Sequence, residues 1–304
     1  IAFTDADLND EPEASEDTKT ITYTAADETT PLILTAAQQT AIENAFTISE
    51  ELTNTNNGTV NWDYTILESD LDFLAAGETV TAVFTITVDD LKGGTDTQDV
   101  TINITGSNDD PIIDSAAQSG AILETVDIAP AADADPVAAT GTITFDDVDL
   151  SDVPTASIIG TPGVTGGTAS LTLAQATALL DNLSLGTVID NPDGSGSVGW
   201  TYDAAHAEID FLSAGETVEL TFTVEVNDNS GGTDTQNVVI TITGSNDAPI
   251  IDRPAQSGAI QETQDNTPAA DADPEEAKDN INIADDHKSE VPSATSDSPP
   301  SESG

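Results

Sequence analysis

The chain has 304 residues, of which 57 are acidic and five basic, giving a formal charge of −52 at pH 7. That balance excludes nucleic acid as a natural partner, because phosphate binding needs clustered Lys and Arg. No cysteine is present to form a disulfide, and no run approaches the ~18 apolar residues of a membrane span. Self-repulsion on this scale calls for cations, either a diffuse atmosphere or tightly bound ions. The N-terminus IAFTDADL has neither the basic start nor the apolar core of a signal peptide, so a soluble, already processed chain or a fragment is expected.

In chain order, FTDADLND (Phe3 to Asp10) places a D-x-D pair at the end of a predicted strand. TAAQQTAIENAFTI (Thr35 to Ile48) has the spacing of a short helix. TAVFTITV (Thr81 to Val88) and DVTINIT (Asp99 to Thr105) alternate as half-buried strands do, and the intervening LKGGTD (Leu91 to Asp96) reads as a hairpin turn. SNDDP (Ser107 to Pro111) closes the strand with Asn and Asp, and its proline then fixes the exit direction.

The same order then returns. FDDVDLSD (Phe145 to Asp152), a helix-like stretch at Leu171 to Leu185, the strands LTFTVEV (Leu220 to Val226) and VVITIT (Val238 to Thr243), the turn NSGGTD and the linker SNDAP (Ser245 to Pro249) repeat it. GTDTQDVTINITGSNDDPIID, ending at Asp114, recurs as GTDTQNVVITITGSNDAPIID, ending at Asp252, a displacement of 138 residues. Trp62, Tyr64, Leu74 and Glu78 recur as Trp200, Tyr202, Leu212 and Glu216. A unit of that length is a self-contained domain rather than a solenoid repeat. Residues 1–110 are therefore expected to form a first β-sandwich without its opening strand segment, and 111–248 a complete second one. Residues 249–280 are the opening segment of a third repeat and a candidate donor strand, and 281–304 an acidic Ser/Pro-rich tail expected to be disordered.

Catalysis is not expected. The chain has only His206 and His287 and no cysteine, so a nucleophile-histidine site has little to be built from. Carboxylates alternating along an extended segment instead suit a hard cation that takes six to eight oxygens. The candidate ligands for Ca²⁺ are Asp5, Asp7 and Asp10 with their counterparts Asp147, Asp149 and Asp152; the linker residues Asn108, Asp109, Asn246 and Asp247; Asp90 and Asp228 before the hairpin turns; and Glu124 and Glu262 in AILETVD and AIQETQD. In so acidic a chain a lone D-x-D also arises by chance.

FLAAGETV (Phe73 to Val80), FLSAGETV (Phe211 to Val218), the GGTDTQ turn and the closing VTINITGSND and VVITITGSND resemble the VCBS repeat, a cadherin-like domain of large secreted bacterial proteins including RTX-type adhesins. The resemblance implies an all-β fold of tandem immunoglobulin/cadherin-like antiparallel sandwiches with a short helix per repeat. It also implies calcium at domain junctions and an extracellular, secreted or cell-surface role as a stalk or matrix protein. The ligand set it implies maps onto Glu124, Asp147 with Asp149, Asn246 with Asp247, and Asp228. The third copy departs from it, with Asp285, Asp286, His287 and Lys288 where the second has Asp147 to Leu150.

The expected partner is a second copy, residues 249–280 completing the neighbour's first sandwich and so propagating head to tail. The alternatives are a fragment of a giant adhesin lying among neighbouring repeats of a larger chain, or a carbohydrate- or ice-binding module for a surface glycan or other cell-surface target. Asn57, Asn103 and Asn182 head N-x-[ST] sequons.

Overall fold

The computed structural model describes residues 1–126, 138–251, 257 and 283–284. The chain is all-β, with two sandwiches in tandem and one short helix in each. The first contains β1 (Ala2–Thr4), β2 (Glu13–Thr24), β3 (Pro31–Leu32), α1 (Ala36–Asn44), β4 (Phe46–Leu52), β5 (Asn57–Tyr64), β6 (Thr79–Asp89) and β7 (Thr95–Thr105). Its two sheets run β1-β5-β4 and β3-β2-β6-β7.

The second contains β8 (Ile112–Ile113), β9 (Gln118–Leu123), β10 (Ala139–Asp146), β11 (Thr155–Gly167), α2 (Leu173–Leu180), β12 (Leu183–Leu185), β13 (Ile189–Asp190), β14 (Ser195–Tyr202), β15 (Thr217–Asn227) and β16 (Thr233–Thr243). Here one sheet runs β12-β14-β10-β8, with β13 also on β14, and the other runs β11-β15-β16-β9. After it, the short strands β17 (Ile250–Ile251) and β18 (Ile283–Ala284) pair antiparallel. Glu262, most of the candidate donor segment, the third-copy DDHK motif and the acidic tail lie outside the described residues.

Alternation sets the inner faces. Val80, Ala82, Phe84 and Ile86 on β6, and Val218, Leu220, Phe222 and Val224 on β15, all point into a core, with threonines between them outward. Both helices start with a capping box, Thr35 with Gln38 and Thr172 with Gln175, which satisfies two of the orphan amide donors of each first turn. The helical pattern from Thr35 stops at Asn44 because Phe46 is drawn into the core at the head of β4. In each hairpin turn an aspartate carboxylate collects backbone N–H groups: Asp90 those of Lys92 and Gly94, Asp228 those of Ser230, Gly231 and Gly232. Leu91 and Asn229 are thereby held at positive φ, 58° and 66°.

One pairing is not antiparallel. β9 lies parallel to β16, with Gln118 opposite Val238 and Leu123 opposite Thr243. It seals the edge of the second sandwich: Val238, Ile240 and Ile242 are fully buried, and Trp200 is 2% exposed with its Nε1–H donating to Gln118 Oε1 at 2.9 Å. Glycines make this close approach possible. A Cβ on Gly120 would lie 2.7 Å from Ala139 Cβ and 3.1 Å from the Trp200 ring, and one on Gly141 only 2.5 Å from that ring.

The first sandwich has no such strand among the described residues, and β7 is its sheet edge. Val100, Ile102 and Ile104 are only half-buried there, and Trp62, stacked on Phe46 at 5.9 Å, is 45% exposed. Beside them a groove of about 500 Å³ runs between β1 and the start of β7, lined by Phe3, Ile86, Val88, Asp96 and Gln98 among others. In the second sandwich β8 occupies the matching place, paired with Phe145 and held by the Ile113 N–H to Asp234 Oδ2 bond at 2.8 Å.

Candidate metal centre

The loop after β10 turns back on itself in two steps: the Asp149 N–H donates to Asp147 Oδ1 (3.0 Å) and the Asp152 N–H to the Asp149 carbonyl (3.1 Å). That turn points three carboxylates to one side of the strand end. The hairpin turn brings Asp228 to the same pole, so that carboxylate oxygens of Asp147, Asp152 and Asp228 lie within 4.8 Å of one another. The linker from the first sandwich closes over them. Asn108 Nδ2 donates to Asp228 Oδ2 (2.9 Å), and the Asp109 N–H donates to Asp149 Oδ2 (2.8 Å).

The first sandwich adds Glu78, 2% exposed, whose carboxylate takes the Tyr23 hydroxyl and the Ala75 N–H. Its charge reaches Asp152, and that of Asp149 reaches Tyr23, so the two sandwiches meet pole to pole here. Sequence reading missed Glu78 as a candidate. Its one signal was recurrence as Glu216 in the AGET motif.

This pole is electrostatically costly as it stands. Asp147, Asp149 and Asp228 are 7%, 2% and 1% exposed. Among the described residues the one ion pair is Lys19 with Asp99, on an outer strand face. Burial, with the neighbouring carboxylates adding to it, pushes Asp147 and Asp149 up to about 6 and also raises Asp152. Burial raises Asp228 too, but the Asn108 amide and the turn N–H groups outweigh it and hold that carboxyl below the usual range.

Four buried oxygens here, Asp147 Oδ2, Asp149 Oδ1, Asp152 Oδ2 and Asn108 Oδ1, accept no hydrogen bond. Buried anionic oxygens are paired or coordinate metals. An all-oxygen donor set rich in carboxylate, with no His or Cys, fits Ca²⁺. Zn²⁺ prefers nitrogen and sulfur, and Mg²⁺ keeps much of its water.

The other candidates fall at two further places. Asp5, Asp7 and Asp10 also gather within 4.8 Å, but Asp7 is exposed where Asp149 is buried, because no linker covers this end among the described residues. Asp90 stands outside that group, committed to its own turn, and its amide contacts lower its pKa. Glu124, Asn246 and Asp247 meet at the far pole of the second sandwich, where the Glu124 carboxylate accepts the Ser245 N–H. Glu124 and Asp247 are buried there.

No family model matches the chain, and no curated relative does. Among solved structures it is similar to human CDH23 EC21-23, with 15% identity over 93% of this chain and 76% of that one at a TM-score of 0.35. It is similar also to zebrafish RET cadherin-like domains 1 to 4, with 10% identity over 66% and 42% at 0.31, and to extracellular cadherin domains 3-6 of protocadherin gamma B2, with 14% over 69% and 43% at 0.29. The chain spans about two-fifths of the length of the latter two. The case for a cation rests on the carboxylates. No helix among the described residues is long and apolar enough to cross a membrane.

The raised carboxyls give a testable pH dependence. Their folded pKa lies above the unfolded value of 3.8, so the metal-free fold holds protons more tightly than the unfolded chain does. The contribution of these two groups to metal-free stability is therefore fully present below pH ~4 and is lost as pH rises through about 6. Calorimetry in chelator is expected to show a higher melting temperature at pH 5 than at pH 7.5. Asp147→Asn with Asp149→Asn should flatten that slope and stabilise the metal-free chain. At calcium a hundredfold above Kd the wild type should gain about 2.7 kcal/mol, and the double variant little of it.

Proposed function

We propose that this is a non-enzymatic extracellular structural protein, in which calcium at the pole-to-pole junction stiffens the tandem and residues 249–280 of one copy complete the first sandwich of the next. The observation that carries the reading is the contrast between two equivalent tryptophans, Trp200 at 2% exposure under β9 and Trp62 at 45% beside β7, which no described strand covers. QSGAI at Gln256 to Ile260 repeats QSGAI at Gln118 to Ile122, the sequence that covers Trp200. An unpaired edge flanked by half-buried Val and Ile is a template for strand addition.

The same molecule cannot supply that strand to itself. β16 carries the chain about 33 Å away from the junction, and the partner of Val100 lies about 17 Å beyond it on the other side. Thirteen extended residues from Thr243 to Gln256 cover at most about 45 Å. In this reading the donor, residues 249–280, comes from a second copy. Such a contact is heterologous and propagates instead of closing.

Electron microscopy of the purified chain in millimolar Ca²⁺, and again after chelation, tests the proposal. Long beaded fibres are expected. Discrete two-sandwich rods that only lose stiffness on chelation would instead assign a stalk module of a longer tandem chain, whose covering strand arrives from the preceding residues as β9 does.

A further inference from the structure

We infer that the groove beside β1 receives Ile251 of a second copy, and that β18 holds this residue back in the free chain, so that assembly first breaks a pairing inside the donor. The inference rests on the strand-exchange reading above and deepens it by giving the donor a closed state.

Its basis is the seat of β8 in the second sandwich. β8 adds two residues to the edge of β10, Ile113 opposite Phe145 and Ile112 opposite Asp146. Ile113 packs against the core, while Ile112 is 66% exposed. Phe145 and Val226 are fully buried here. The first sandwich has Phe3 and Val88 at these positions, both only half-buried and both lining the groove. Asp96 lines it too, in the place of Asp234. It keeps the same turn contact: its Oδ1 accepts the Thr97 N–H (2.9 Å) as Asp234 Oδ1 accepts that of Thr235 (2.7 Å). Asp234 uses its other oxygen to hold the Ile113 N–H. The groove thus offers what seats β8: an apolar floor, a sheet edge at Phe3 and Thr4, and a carboxylate acceptor. A sheet edge of this kind accepts an added strand.

β17 repeats β8 one period on, as PIID follows SNDA where PIID follows SNDD. In its own chain it is already paired: Ile251 lies opposite Ile283 and Ile250 opposite Ala284, the register that β8 keeps on β10. Ile283 and Ala284 repeat Phe145 and Asp146, whose equivalents in the first sandwich are Phe3 and Thr4. β18 and β1 therefore compete for the same two residues in the same register, and a strand held by one is closed to the other. A ribbon of two strands is marginal on its own, so the pairing restrains the donor without abolishing it. With the open donor populated at about 1–10%, apparent association is weakened about 10- to 100-fold.

Sedimentation velocity of the full chain tests this with two changes that leave Gln256 to Gln261 intact. Ile283→Pro removes a backbone donor and disfavours the pairing. It is expected to strengthen assembly about 10- to 100-fold over wild type. Ile250→Cys with Ala284→Cys places a cross-link on the pair in a chain that has no cysteine of its own, at the residue whose equivalent, Ile112, faces water. Oxidised at concentrations too low for assembly, this variant should then associate at least about tenfold more weakly than the same chain reduced. If Ile283→Pro assembles no better than wild type, or the oxidised chain assembles as well as the reduced one, the inference falls while strand exchange stands. If none of these chains assembles, wild type included, strand exchange itself falls and takes the inference with it.

Discussion

On the strand-exchange proposal, replacing Gly258 with valine is expected to prevent assembly at concentrations where wild type would form fibres, leaving Trp62 open to a soluble quencher. Gly258 repeats Gly120, the residue of β9 that passes over the indole, where an added Cβ would lie 3.1 Å from the ring of Trp200. Valine at the donor position must displace Trp62 or lift the strand off β7. Overpacking of this kind costs about 1–3 kcal/mol, roughly 5- to 150-fold in association. A chain ending at Ala248 lacks the donor altogether and should not assemble at any concentration. Sedimentation velocity reads the assembly. Because the chain has two tryptophans and Trp200 is already shielded, acrylamide quenching reports on Trp62. Gly258→Val that assembles like wild type and protects Trp62 would show that the donor does not cover this indole.

Trp200→Ala and Trp62→Ala should differ sharply in an unassembled chain such as the one ending at Ala248, although the repeat treats the two positions alike. Trp200 is enclosed by β9, β10 and the core, and its removal leaves a cavity that stiff sheets cannot collapse around, costing about 3–5 kcal/mol. For a domain of this size that lowers the melting of the second sandwich by roughly 10–20 °C. Trp62 has nearly half its surface in water, so Trp62→Ala should cost roughly half as much, and only in the transition of the first sandwich. Differential scanning calorimetry separates the two. In the proposed fibres the gap should narrow, since a donor strand on β7 would cover the indole of Trp62 as well. Equal costs in the unassembled chain would mean that something else already shields Trp62.

Much of this architecture is written locally. The Val/Ile/Thr alternation marks β6, β7, β15 and β16, each a few residues longer in the structure than its sequence run, because the ladders extend through flanking residues, among them the buried Val80 and Val218 as well as more exposed Thr and Asp. The helices are shorter than their patterns because Phe46 and Leu183 are claimed by strands. What local sequence does not carry is anything that depends on distant partners. The parallel seat of β9 needs a neighbour more than a hundred residues away. Glu78 reads as a surface residue between Gly77 and Thr79 until Tyr23 folds over it. Asp90 and Asp228 are equivalent in sequence but not in place, since among the described residues Asp228 alone has a linker asparagine laid across it.

The parallel seat of β9 also bears on how the second sandwich responds to being pulled. Tension enters from the linker at Pro111, passes the two-residue β8 and leaves beyond Thr243, so β9 and β16 lie side by side on the force path and are dragged in opposite directions. The ladder between them is loaded in shear, with its bonds straining together, whereas a hairpin pulled from its open end would peel one bond at a time. Resistance of this kind is a rate, set by the height of the unfolding barrier more than by equilibrium stability. A module joined this way is suited to hold under a sudden load.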